Sequence, residues 1–128
     1  DSVIFFRGSN VIHTGDQYVN VGGYPYIDRD VGGSALGLRD NIAALLEVVD
    51  DETRIIPGHG PLARKADLQW FHDLVAQTIE HIEGEKRAGK TLEAIQSAGL
   101  PKKFEAAGKA GFIPESVWIQ FVYASLDP

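Results

Sequence analysis

Two periodicities divide the chain. Near its start, Val3-Ile4-Phe5-Phe6 is a run of β-branched and aromatic residues, and Val11-Ile12-His13-Thr14 is a second one. Gly8-Ser9 lies between them with the chemistry of a type II′ turn, so residues 3–15 read as a hairpin. Asp16 then falls just beyond the second strand. Residues 17–33 lose the alternation and fill with Gly, Tyr, Asn and Asp around Pro25, which is loop composition. A loop of that length inside a small domain tends to carry function.

From Ser34 onward the period lengthens. Ser34 is a candidate N-cap for a helix in which Leu38, Ile42, Leu45 and Val49 recur on one face. Asp50-Asp51-Glu52 reads as a solvated turn, because its spacing lacks the alternating ligands and glycine of a calcium loop. Thr53-Arg54-Ile55-Ile56 makes a short strand that Pro57-Gly58-His59-Gly60-Pro61 stops. A second amphipathic helix spans about 66–88, with Leu68, Phe71, Leu74, Val75, Ile79 and Ile82 on one side and Glu83 placed to pair with Arg87. Thr91 is a candidate cap for a helix to about Ser97, residues 99–111 read as a surface connection, and Pro114 opens a last helix. The helical spacing of Trp70, Phe71, Trp118, Phe121 and Tyr123 assigns them to core packing rather than to a stacking platform.

The order of elements predicts one α/β domain over residues 1–128, with a β-hairpin and a short strand covered by helices. At 128 residues and 44% apolar content the chain can bury a real core. The net charge of −6 comes without a Lys/Arg stripe, which argues against nucleic acid as a partner, and no apolar run approaches the roughly 20 residues that span a bilayer. The lack of cysteine excludes disulfides and thiolate chemistry and leaves the compartment open.

Two strand ends carry metal-ligand chemistry: Asp16 after VIHT and His59 after RIIP. A carboxylate and a neutral imidazole are ordinary zinc ligands, and a carboxylate can bridge two cations. His72 and His81, nine residues apart on one helix, face opposite ways and share no site.

The ordered set NVIHTGD, YPYID, GGS and TRIIPGHGP resembles the C-terminal half of metallo-β-lactamase-fold hydrolases. The resemblance covers nearly the whole chain, and PGHG after a strand is its most specific piece. It implies half of an αββα sandwich, with Asp16 as the carboxylate bridging two zinc ions and His59 as the last histidine ligand. An activated hydroxide would then attack an ester, thioester, amide or phosphoester in a small-molecule substrate. Tyr24 and Tyr26 would line the substrate entrance, and Asp28 would brace the loop. His13 is left as a strand histidine or as a hydrogen-bond partner behind the site.

The family's HxHxDH motif does not occur in this sequence. Two ligands do not fill a tetrahedral zinc shell, so the chain alone is expected to be inactive. The expected partner is a missing N-terminal half or a second copy of the chain. The alternative is a non-catalytic half-domain or scaffold that self-associates through the VIFF edge.

Overall fold

The computed structural model describes residues 1–127. Its elements are β1 (Ile4–Phe6), β2 (Val11–Val19), α1 (Ala35–Val48), β3 (Arg54–His59), α2 (Lys65–Arg87), α3 (Leu92–Ala98), α4 (Glu105–Lys109) and α5 (Glu115–Ser125), with short 3-10 turns at Arg7–Ser9, Arg29–Val31 and Lys102–Phe104. The three strands form one sheet in the order β1-β2-β3, antiparallel between β1 and β2 and parallel between β2 and β3. The fold is mixed α/β, as the sequence leads one to expect.

One face of the sheet builds the core. Ile12, Thr14 and Tyr18 of β2 and Ile55 and Pro57 of β3 are buried, which is the alternation a half-covered sheet requires. Above them lie α1 and α2, joined by Leu38, Ile42, Leu68, Phe71, Val75 and Ile79. Tyr18 meets Phe71 with ring centroids 5.0 Å apart. Trp118 of α5 is fully buried, and its indole N–H donates to Thr78 Oγ1 at 2.9 Å, so the largest core side chain enters with its polar atom satisfied. The other face of the sheet carries Ile4, Phe6, Val11, His13 and Ile56, half-buried or exposed.

Several expectations need correction. The hairpin does not turn on a two-residue Gly8-Ser9 loop: a 3-10 turn intervenes, and Asn10 takes the left-handed conformation at φ 54°. Asparagine tolerates that region better than other residues with a side chain. Pro57-Gly58-His59 does not end the third strand but continues it, with Pro57 beside Gly15. The connection from 99 to 111 contains α4. Trp70 is half-exposed at 51%, because it is adjacent to Phe71 on α2 and so is rotated off the buried stripe by about 100°. Ser34 and Thr91 do cap α1 and α3, accepting from the Gly37 and Ala94 amides. Glu83 and Arg87 pair at 3.5 Å, and Asp50-Asp51-Glu52 is an exposed turn. No helix of the described residues is long and apolar enough to cross a membrane.

Candidate metal centre

Asp16 is not beyond β2 but within it. β2 and β3 keep residue-for-residue register through His13 and Ile56; then His13 to Gly15 on β2 is matched by Ile56 to Pro57 on β3, and Gly15 to Val19 by Pro57 to His59. The extra residues on β2 bulge outward, and a bulge re-aims side chains near a site. Asp16 lies in this irregular stretch.

The bulge carries the Asp16 carboxylate across to the end of β3. Its Oδ1 lies 3.4 Å from His59 Nε2, and both side chains are well exposed. The approach is possible because Gly58 has no side chain: a Cβ there would stand 2.1 Å from Asp16 Oδ1 and 2.8 Å from the Gly15 carbonyl carbon. His59 is held from behind, since its carbonyl accepts the Asn20 amide at 2.8 Å and the Asn20 side-chain amide donates to the Pro61 carbonyl at 2.9 Å. His59 thus sits at the carboxyl end of β3, and Asp16 reaches it from the irregular stretch inside the neighbouring parallel strand β2.

A cleft of about 650 Å³ opens beside Asp16, lined among others by Gln17, Tyr26, Asp28, Val31, Ser34 and Asn41. That volume suits a small molecule. Asp1, Asp16 and Asp28 line it and no Lys or Arg does. The nearby Arg29 guanidinium is instead committed to the carbonyls of Gly33 at 2.7 Å and Ala124 at 3.2 Å.

The remaining predicted residues separate into two groups. Tyr26 is exposed on the cleft, with its ring edge-on to Phe121 at 5.3 Å. Asp28 also lines the cleft, and it braces the loop through its backbone: its carbonyl accepts the Gly33 amide at 2.7 Å, while its side chain caps nothing. Among the described residues His13 makes no hydrogen bond or ion pair with Asp16 or His59; its Nδ1 accepts the Gly15 amide at 3.0 Å and so fixes the bend that leads into Asp16. Tyr24 does not reach the entrance at all. It is 1% exposed and stacked on Trp118, centroids 5.4 Å apart and planes 6° apart. Burial, with Glu115 nearby, pushes its hydroxyl well above the ordinary phenol range.

His72 and His81 take no part in the site: His72 lies 3.5 Å from Asp73, its own neighbour in sequence. Phe112 and Asn20 were not singled out by sequence. Phe112 lies just past the stretch 99–111 read as a surface connection, and its ring meets the His59 imidazole edge-on, centroids 5.9 Å apart at 71°. The only signal for it is an apolar pair, Phe112-Ile113, between Gly111 and Pro114 in otherwise polar surroundings.

Asp16 and His59 fit half of a metal shell: one carboxylate and one imidazole, close together, accessible, with compatible donor chemistry. Among the described residues no group of three or more His, Cys, Asp or Glu side chains is gathered tightly enough to hold an ion. No family model and no curated protein matches the chain.

Proposed function

We propose that the chain is the C-terminal half of an αββα metallo-β-lactamase-like domain, and that Asp16 and His59 are its share of a dinuclear zinc site in a hydrolase of esters, thioesters, amides or phosphoesters. The observation that carries this reading is the meeting of Asp16, in the irregular stretch of β2, and His59, at the end of the parallel strand β3, at 3.4 Å through a gap that Gly58 leaves open. The uncovered sheet face supports it too, since Ile4, Phe6, Val11 and Ile56 are what a second layer would bury.

Zinc bound there would supply a hydroxide near neutral pH and polarise the bond under attack. The chain's own residues have simpler tasks. The Asp16 carboxylate offers two oxygens from the bulge, and His59 offers Nε2 from a backbone anchored by Asn20. Tyr26 and Asp28 shape the cleft that receives a small-molecule substrate, and the other ligands come from an N-terminal half. In the complete protein so assembled, His59→Ala and Asp16→Ala each abolish tight binding of one metal and most turnover. Wild-type metal content and turnover in both variants would sink the reading.

A second reading, of a non-catalytic half-domain or scaffold, is favoured by β1. That strand is exposed along its whole length and forms the free edge of the sheet, whereas the outer edge of β3 is partly closed by reciprocal backbone bonds between Ile55 and Ala63. Light scattering tests it: a chain that stays a dispersed monomer and melts cooperatively has no need of a partner.

A further inference from the structure

We propose that Phe112 is a positioning residue for His59, holding the imidazole in the orientation that presents Nε2 toward Asp16. The proposal rests on the reading of His59 as a metal ligand. Phe112 is 73% exposed, so burial does not account for its place. Among the described residues its aromatic contact is His59, approached in the edge-to-face arrangement that the positive edge and negative face of an aromatic ring favour.

The backbone that delivers it is tightly held. Gly23 packs against the turn before Phe112 so closely that a Cβ would stand 2.4 Å from the Ala110 carbonyl oxygen. The segment containing Gly23 begins at Asn20, whose amide binds the His59 carbonyl. The connection is therefore a closed circuit: from the His59 backbone through Asn20 and Gly23 to Ala110, then through Phe112 back to the His59 ring. At the ring's Nε2 stands the Asp16 carboxylate, at 3.4 Å. The imidazole thus meets both a carboxylate and an aromatic ring, and removal of the ring leaves it free to turn about χ1. Groups that orient a metal-binding imidazole affect affinity without touching the ion.

The test uses the 128-residue chain, with NMR of the His59 side chain without metal as the first readout and, as the second, calorimetric titration with zinc of the weak site that Asp16 and His59 make by themselves. Phe112→Ala is expected to weaken zinc binding about ten-fold, the low end of what loss of a ligand's supporting partner costs. In the same variant the His59 χ1 coupling constants average over rotamers, while the melting temperature is unchanged. Phe112→Tyr restores both properties; Phe112→Leu, apolar but without a ring, restores neither. A single His59 rotamer in Phe112→Ala overturns the proposal, as does wild-type zinc affinity in that variant when His59→Ala has lost it. Should His59→Ala and Asp16→Ala themselves bind zinc as the wild type does, the ligand assignment fails, and the rotamer measurement still decides the role of Phe112.

Discussion

Oδ1 of Asp16 stands 3.4 Å from Nε2 of His59, and the neighbour that sets this distance is Gly58. A methyl group at position 58 would overlap the Asp16 carboxylate and, less avoidably, the Gly15 backbone at 2.8 Å. The carboxylate can swing aside, but Gly15 is held by its bond to His13 Nδ1. Gly58→Ala must therefore part β2 from β3 and should lower stability by about 1–3 kcal/mol, the usual cost of overpacking. Zinc affinity should fall with it. Urea denaturation measures the first effect and calorimetry the second; an unchanged midpoint would show that the strands separate freely.

The Tyr24 hydroxyl leads to the opposite expectation. It is buried and has no hydrogen-bond partner among the described residues, although the ring beneath it stacks well on Trp118. A desolvated, unpaired hydroxyl costs about 1–3 kcal/mol, so Tyr24→Phe should leave stability unchanged or raise it by up to roughly that amount. Tyr24→Ala removes the ring as well and should cost about 3–5 kcal/mol, as large aromatic truncations do. If the phenylalanine variant melts lower than the wild type, the hydroxyl has a partner after all, and a buried water is the natural one.

How far this arrangement was legible in the sequence depends on what each feature required. Helix α2 was legible to within a residue because Leu68, Phe71, Val75, Ile79 and Ile82 repeat with the helical period and all five are buried. The candidacy of Asp16 and His59 was legible from residue types and turn chemistry. Their contact was not, because it depends on a register slip between β2 and β3 that only the packing of Gly15 against Gly58 defines. Trp70 shows the limit of periodicity: a spacing that fits a helix does not say which of two adjacent aromatics faces inward. Phe112 was hidden for another reason, since its role arises from a long-range circuit through Asn20 and Gly23 and leaves no local pattern.

Acid should loosen the joint between β2 and the turn before β3. Asp50 Oδ1 accepts from the Asn10 side chain at 3.2 Å, the Glu52 amide at 2.9 Å and the Thr53 hydroxyl at 3.2 Å. The bond from Asn10 first, then that from the Glu52 amide, hold the Asp50 carboxyl below its ordinary value; Lys90 and Lys109 do the same for Glu85 and Glu105. A carboxylate whose pKa is lower folded than unfolded contributes stability that is complete above the unfolded value, about 4, and lost as pH falls through the folded one. Urea midpoints taken from about pH 6 down to about pH 3 should decline in the wild type and decline less in Asp50→Asn, which has no proton to gain. Superimposable profiles would remove Asp50 from the account.

The free edge offers a separate prediction about association. Ile4 and Phe6 project on the uncovered face of the sheet, opposite His13 and Val11 respectively, and are 54% and 49% exposed. Phe5, opposite Ile12, projects to the other face, while Phe5 and Phe6 both line a cleft of about 450 Å³ with Val11 and Val48. Ile4→Lys with Phe6→Lys therefore removes apolar surface that the isolated chain does not bury, and places charge on an edge strand, the usual natural protection against strand pairing. Stability should change by no more than about 0.5 kcal/mol per site, as at other surface positions. Concentration-dependent association, read by light scattering, should disappear. Phe5→Lys should behave differently, losing stability along with any association, because Phe5 shares its sheet face with the buried Ile12 rather than lying on the open face. Equal association by the wild type and the double variant would mean that contacts between copies lie elsewhere, and the half-domain reading would lose the observation that favours it.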